Sequence, residues 1–506
     1  MELPNAIRRP SLDNRLPNQD YAYYAICGFA LAVSISVWFI AIGAPLWFDE
    51  TGSYYQISAG FSGIPSHLGG VSFPPYAYIL WLTTKILGAS EIALRVPSIL
   101  AMLGAVYLLY LAARELFERD IAIIAVIIFC LHPIVIFASI DVRPYAFAVL
   151  ATNAAILILL RLRHNNSNWL AALFGLMAAW IVWFHYLFGI ILPALVLCFF
   201  IVKKDDRKTL QRQLGVAFGA FALAFLPVIP GLLSMFRTGK SHVYELAPEL
   251  GELLDTLAPG SVLLVFFVTA LCVGIIVRKS EKVHLETGHF LVCALLALIP
   301  ILILYGVSAG TPLHTFAPRH RLVAVPGIAL CWAFALSPFR SRVARLLFCV
   351  ALVGITAFQH YNSPFFRHHL YTWKYALEYA EKNASTDGAP VLICSDFPEA
   401  DYETMPVDSA KESRLFTPLS YYRLSVPVVP MPRALNGEAM RVGSGFLQEA
   451  ARKHERFLAL AFRPSYGTLD WLSQSATATH SVRSLGEFDG IRVLEFMPRN
   501  DLNAAH

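Results

Sequence analysis

Directly after an apolar stretch, the run Trp47-Phe48-Asp49-Glu50 sets two carboxylates side by side. A carboxylate at such a boundary can take a proton from a hydroxyl, which is general-base chemistry. The plainer alternative is a pair of solvated loop acids, yet the loop supplies almost no basic residue to compensate them. Pro318-Arg319-His320-Arg321 gathers three cationic or potentially cationic side chains where another apolar stretch begins. Arginine forks match phosphate oxygens, so this run is a candidate phosphate site, with anchoring to lipid headgroups as the alternative. Lys240 and His242 fall in a further loop. Asp141 and Arg143, in Asp141-Val142-Arg143-Pro144-Tyr145, either neutralise each other or line one cavity with Asp49. His185-Tyr186 is either a hydrogen-bonded scaffold pair or part of the same site. Arg95, in Leu94-Arg95-Val96-Pro97-Ser98, is adequately explained by snorkelling to an interface.

The elements that must hold these residues are mostly membrane helices. The chain has 506 residues, 57% hydrophobic and 15% charged, with a mean hydropathy of +0.56; ordinary soluble domains carry about 25% charged residues. The deficit lies between Tyr21 and Tyr361, where apolar runs recur. From Asn362 onward the charge density is that of a globular protein, so the two regions face different solvents. A span needs about 20 apolar residues. Candidates are 21–44, 91–113, 121–140, 144–160, 169–184, 187–202, 213–236, 259–277, 289–307, 321–338 and 343–360, about eleven in all by that criterion. Trp183-Phe184-His185-Tyr186 is expected to break 169–202 into two at an interface, where aromatic rings sit.

Orientation follows from the loops. With the N-terminus in the cytoplasm, basic residues such as Arg114, Arg119, Arg161, Lys203, Lys204, Arg207, Arg278 and Arg342 fall inside, and far fewer fall outside. All the candidate site residues then lie on the outer side, as does the C-terminal region. The expected organisation is a cytoplasmic tail at 1–20, a transmembrane domain at 21–360 with a structured first outside loop at 45–90, and a periplasmic domain at 361–506. Pro75–Gly88 is too short to span and reads as an interfacial helix opened by the Pro74-Pro75 pair.

The C-terminal region alternates helix (370–383, 416–423, 445–454, 467–474) with strand (391–394, 426–430, 457–462). A hairpin turn is expected at Phe488-Asp489-Gly490-Ile491, since Asp-Gly accepts positive φ. The fold class is therefore a polytopic α-helical membrane protein with a C-terminal α/β domain. No glycine-rich phosphate loop, internal repeat or C-x2-C pair occurs. Seven of the eight cysteines lie in the apolar half, leaving Cys394 alone in the C-terminal domain. His67, His242, His314 and His320 with Glu50 are the residues to weigh for a divalent metal ion, but their spacing matches no metal motif, so the metal is unassigned.

Several of these motifs together resemble a known group. Trp47–Glu50, Pro74-Pro75, Leu94–Ser98 and the helix end Ala113-Arg114-Glu115-Leu116-Phe117 resemble protein O-mannosyltransferase-like members of the glycosyltransferase C superfamily. Asp141–Ala146, His185-Tyr186 and Pro318–Pro326 are similar to the same group, over roughly residues 20–340. Within it the chain looks most like the rhizobial lipopolysaccharide galacturonosyltransferases and, more distantly, the aminoarabinose transferase of lipid A.

The resemblance implies an inverting transfer of a sugar from a polyprenyl-phosphate carrier, in a cavity open to the periplasm of a bacterial inner membrane. The catalytic acid of the first outside loop falls on Asp49, with Glu50 beside it. Substrate-binding roles are expected for Asp141, Arg143, His185, Tyr186, Lys240, Arg319, His320 and Arg321. Phe73 stands where some relatives have Lys or His, and His185 where some have Lys, leaving a pH-dependent cation. The expected partners are the lipid-linked donor, a lipid or glycan acceptor such as lipid A or lipopolysaccharide core, and membrane lipids, with no nucleic acid. No cofactor is certain. A protein O-glycosyltransferase, an undecaprenyl-linked glycan ligase or polymerase, and a transporter are the alternatives. Charges gathered at the outer ends of spans, with few inside them, argue against a transport path.

Overall fold

The computed structural model describes residues 17–68, 74–202, 207–238, 246–259, 262–266, 268–270, 287–339, 341–363, 371–401 and 413–499. Apolar sequence becomes helix because a backbone in lipid must satisfy its own hydrogen bonds. The N-terminal helix α1 (Pro17–Ser36) leads to a loop with α2 (Phe48–Ser58), α3 (Ile64–His67) and α4 (Pro74–Leu87). The bundle continues with α5 (Glu91–Leu116), α6 (Arg119–Leu131), α7 (Pro133–Ser139), α8 (Tyr145–Leu162), α9 (Asn168–Phe184), α10 (Leu192–Val202), α11 (Arg207–Phe225), α12 (Ile229–Thr238) and α13 (Leu250–Leu257). After these come α14 (Val262–Ala270), α15 (Thr287–Gly310), α16 (Pro318–Arg321), α17 (Val325–Leu336) and α18 (Arg342–Asn362).

Among the described residues, seven helices are long and apolar enough to cross a membrane, and two bent pairs pass the same test together. Two further apolar helices, Asn168–Phe184 and Tyr186–Val202, are shorter. Each of the candidate stretches overlaps one of these helices, bent pairs or shorter apolar helices, although the one at 259–277 is described only in part. The stretch 121–140 is not one straight span: α6 and α7 meet at 70°. Pro133 has no N–H to continue the ladder and holds His132 extended (φ −65°, ψ 129°), so the helix must restart there. His185 is likewise extended (φ −159°, ψ 111°) between α9 and the next turn.

The C-terminal region carries a five-stranded sheet in the order β2-β1-β3-β5-β4, built from β1 (Val391–Cys394), β2 (Val428–Met431), β3 (Phe457–Phe462), β4 (His480–Phe488) and β5 (Ile491–Pro498). β1 pairs parallel with β2 and β3, whereas β5 runs antiparallel to both β3 and β4. The β4–β5 turn has Asp489 at φ 48° and Gly490 at φ 82°, the left-handed pair that an Asp-Gly hairpin requires. β1 is buried along its length, so both sheet faces need cover. α19 (Lys374–Ala384) packs with α20 (Pro418–Tyr421) on one apolar layer, and α21 (Gly437–Lys453) with α22 (Tyr466–Ser475) on the other.

This sheet domain sits against the loop after α1. Trp47 and Thr372 form an antiparallel bridge, and the Leu46 N–H donates to the Tyr422 hydroxyl at 2.7 Å. The Phe48 and Phe397 rings lie 4.3 Å apart, and Lys374 pairs with Glu91 at 3.0 Å.

Candidate functional site

The site begins at the N-terminus of α2. Trp47 is the extended cap residue, and Asp49 and Glu50 occupy the first helical turn, where the helix dipole favours negative charge. The two acids are about 100° apart around the helix and meet different surroundings. Glu50 is fully buried. It accepts from Arg95 (Nη2 2.9 Å, Nε 3.4 Å), from the Val142 amide (2.9 Å) and from the Trp47 amide (3.1 Å). Arg95, also fully buried, spends its remaining donors on the carbonyls of Ile42, Ala44 and Pro45. Burial pushes the Glu50 carboxyl up, against the opposing pull of Arg95 and the two amides. Glu50 is therefore a buried tie between α2, α5 and the 140s loop. It does not share a cavity face with Asp49, and the expectation of a catalytic Glu50 is corrected. Arg95 does not snorkel to an interface but lies inside the protein, held there by Glu50.

Asp49 is only partly covered, with its side chain 23% exposed. Its Oδ2 stands 3.8 Å from Arg319 Nη1 at the start of α16. Arg143 approaches the same turn of α2: its Nη1 donates to the Asp49 carbonyl at 3.3 Å and lies 3.5 Å from the Ser53 hydroxyl. Ser53 follows Asp49 by four residues and so shares its face of the helix. Arg143 Nε is buried with no acceptor among the described residues, which leaves a guanidinium donor available to a ligand oxygen. Burial works against the Arg143 charge, but Tyr145, Asp49 and Asp141 more than restore it, holding its pKa above the ordinary arginine value.

Asp141 is not on this face. It is fully buried, with Oδ1 accepting from Trp47 Nε1 at 3.0 Å and its carbonyl from the Ser98 hydroxyl at 2.6 Å. Burial pushes its carboxyl well above the usual range, and the Glu50 charge acts in the same direction. Asp141 thus fixes Trp47 and the loop that carries Arg143, which corrects its expected contact with substrate.

His185 lies behind the two arginines. Its ring stacks on Tyr186 (5.3 Å between centroids), packs against Tyr145 (5.0 Å) and Phe188 (5.1 Å), and reaches the His320 ring at 5.4 Å. Burial lowers its pKa well below the usual histidine value, and His320, Arg143 and Arg319 lower it further. His185 is a neutral ring near neutral pH, and the expectation of a pH-dependent cation is corrected.

Arg321 also departs from expectation. Two residues on from Arg319, it points elsewhere: Nη1 donates to the Thr256 hydroxyl (2.9 Å) and the Glu252 carbonyl (3.1 Å), and the guanidinium lies over Phe316. It fastens α16 to α13 and does not form a fork with Arg319. His320 donates from Nδ1 to the Thr315 carbonyl at 2.7 Å. Lys240 and His242 lie outside the described residues.

Of the residues weighed for a metal, His67, His314 and His320 each turn Nδ1 to a backbone carbonyl, and Glu50 is held by Arg95. Among the described residues no group of three or more metal-ligating side chains forms.

The geometry therefore brings Asp49, Ser53, Arg143 and Arg319 together, backed by Tyr145, His185, Tyr186 and His320. One carboxylate able to take a proton faces two guanidinium groups able to hold an anion.

Residues 72–233 match the family model described as dolichyl-phosphate-mannose-protein mannosyltransferase. A sequence comparison with curated proteins finds no match. Among solved structures, the chain is similar to ArnT from Cupriavidus metallidurans bound to undecaprenyl phosphate, with 11% identity over 95% of this chain and 98% of that one, and a TM-score of 0.55. It also aligns with the arabinofuranosyltransferase AftD from Mycobacteria (13% identity, 94% of this chain, 42% of that one, TM-score 0.49). A third alignment is with the archaeal oligosaccharyltransferase AglB from Archaeoglobus fulgidus (13% identity, 93% and 70%, TM-score 0.46).

Proposed function

We propose that this chain, which has the membrane-embedded fold of the glycosyltransferase C superfamily, transfers a sugar from a polyprenyl-phosphate carrier to a hydroxyl on the outer face of a bacterial inner membrane. The observation that carries the reading is the 3.8 Å approach of Arg319 to Asp49, with Arg143 on the Asp49 carbonyl. Both members of the Asp49–Arg319 pair are partly exposed, so the pair is weak and easily exchanged. A donor phosphate takes Arg319 and the unused Nε of Arg143. Asp49 is then released to the acceptor.

In the reaction the acceptor oxygen attacks the anomeric carbon, and the bond from that carbon to the phosphate oxygen breaks. The acceptor proton passes to the Asp49 carboxylate, and the electron pair leaves on the polyprenyl phosphate. A single displacement inverts the anomeric centre. The two arginines meet the charge that develops on the leaving phosphate, and they do so in a covered site where such contacts count for more than in water. The similarity to ArnT, whose structure holds undecaprenyl phosphate, supports a polyprenyl carrier. A lipopolysaccharide core or lipid A glycan is the acceptor class we favour, and a uronic acid or other modified sugar the donor.

The test uses purified protein with polyprenyl-phosphate galacturonate and with a neutral polyprenyl-phosphate hexose, followed by release of polyprenyl phosphate and by the anomeric configuration of the product. Release with inversion supports the reading. Absence of release from either donor, with any candidate glycan, contradicts it. Equal turnover of both donors removes the uronic acid while leaving the transfer in place.

A further inference from the structure

A cavity of about 490 Å³ lies where the loop after α1 meets the C-terminal domain. Its lining comes from both sides: Tyr55, Ser58, Ala59 and His67 from α2, α3 and their junction, and Leu419, Ser420, Arg423 and Leu424 from α20 and the residues after it. The size is that of a small-molecule site, for which about 300–1,000 Å³ is usual. None of the donor-site groups described above lines it. Tyr55 sits six residues beyond Asp49 on the same helix, about 9 Å along the axis at 1.5 Å per residue.

The hydrogen-bonding state of the lining says what fits. His67 donates from Nδ1 to the Tyr55 carbonyl at 2.9 Å, so Nε2 is left as an acceptor in the neutral ring. The Ser58 hydroxyl donates to the Tyr55 carbonyl, and the Ser420 hydroxyl to the Thr417 carbonyl, each keeping lone pairs to accept. Three acceptors therefore border a space that wants hydroxyl donors. The Tyr55 and His67 rings are stacked at 4.4 Å and 3°, a flat rigid surface of the kind that packs against the apolar face of a ring. Arg423 is exposed and has no hydrogen bond or ion pair among the described residues. Its guanidinium fork is suited to a phosphate or a carboxylate.

We propose that this cavity binds the acceptor: a saccharide bearing an anionic substituent, with its ring on Tyr55–His67, its hydroxyls on Ser58, Ser420 and His67, and its anion on Arg423. The assignment to the acceptor rests on the glycosyl-transfer reading above. The C-terminal domain then does more than brace the loop, because it supplies half of the acceptor site and sets which glycan reaches Asp49.

The experiment measures binding of a glucosamine disaccharide, with and without a phosphate group, to the full chain in nanodiscs of zwitterionic lipid. No donor is present. The phosphorylated disaccharide is expected to bind at least tenfold more tightly than its neutral form. Arg423→Ala should abolish that difference, and Tyr55→Ala should weaken both forms about tenfold. Arg441→Ala, an exposed arginine on α21 that does not line the cavity, should leave both unchanged. Thermal melting checks that each variant is folded; Arg423 is exposed, and substitutions at exposed positions usually change stability little. Unchanged affinity in both the Arg423 and Tyr55 variants, or no binding of either form, overturns the proposal. Competition by added phosphatidylglycerol, with no preference for the saccharide, would assign Arg423 to a lipid headgroup and overturn it too. Because the measurement needs no turnover, saccharide binding in a chain that transfers nothing would separate failure of the enzymatic reading from failure of this one.

Discussion

Arg95 and Glu50 face each other at 2.9 Å with neither side chain exposed. This pair joins the start of α5 to the first turn of α2, and Glu50 also holds the Val142 and Trp47 amides. It fixes the turn that presents Asp49 without touching the space Asp49 faces. Removing one partner of a buried pair leaves the other uncompensated and typically costs about 3–5 kcal/mol. Glu50→Ala and Arg95→Ala should therefore each lower the melting temperature sharply, and the double variant should lose less than the sum. Strict additivity, measured in a double-mutant cycle, would show that the two do not act as a unit.

Arg319 and Arg321 should separate in kinetics. Arg319→Ala removes a charge-assisted contact worth about 1.5–3 kcal/mol, or roughly ten- to a hundredfold in donor affinity. Arg319→Lys keeps the charge, loses the fork and rescues in part. Arg321→Ala releases α13 and should lower stability while leaving donor KM within about threefold, a margin of under 1 kcal/mol. Donor KM and melting temperature of the three variants check this. A donor KM that rises equally in both alanine variants would restore the two-arginine fork and contradict the geometry.

Much of the scaffold is legible in the sequence. β1 and β3 fall at 391–394 and 457–462 as their apolar runs indicate, and Asp489-Gly490 makes the hairpin its dipeptide calls for. Strand β2 lies at Val428–Met431, two residues past the start of its apolar run. α21 starts at Gly437, well before the 445–454 stretch, because Asn436 caps it by accepting from the Ala439 amide.

The site was harder to read. Arg319 and Arg321 look like one cluster in sequence, but two helical residues point about 200° apart, and that rule was the signal available. Arg95 lies one turn past the Ser90 cap of α5. Its partner is distant in sequence, so nothing local distinguishes a buried ion pair from a snorkelling arginine. Ser53 and Tyr145 carry no motif of their own and enter only through Arg143 and His185.

His185 makes a prediction about pH. Its pKa is lowered well below the usual histidine value, by burial first, then by His320, Arg143 and Arg319, so the ring is held neutral near neutral pH. Its ring resonances should not titrate between pH 6 and 8. Donor affinity in that range should follow the donor's own ionisation, in the wild type and in His185→Gln alike. A titration of the His185 ring near pH 6.5, lost together with a step in donor affinity in the glutamine variant, would show a cationic role.

Asp396, at the end of β1 and beside Phe397, predicts a stability profile. Burial raises its pKa to about 7, although Trp373 Nε1 donates to the carboxylate and Arg433 opposes the shift. The folded state then holds a proton that the unfolded chain, with its ordinary carboxyl near pKa 4, has released. Stability therefore falls as pH rises from about 4 to about 7, by up to about 1.4 kcal/mol per pH unit, and is level above that. Asp396→Asn should raise the melting temperature at pH 8 and change it little at pH 4. An equal shift at both pH values would mean that the carboxyl does not titrate in this window.

Asp49 is the group proposed to take the acceptor proton. Asparagine keeps its shape and cannot take the proton. Turnover of a polyprenyl-phosphate sugar by purified Asp49→Asn, measured beside donor affinity and melting temperature, is the most direct test. We expect transfer to fall by about 10²–10⁴-fold, with donor affinity and melting temperature held near their wild-type values. Near-wild-type turnover in a folded, donor-binding Asp49→Asn protein would show that the base lies elsewhere.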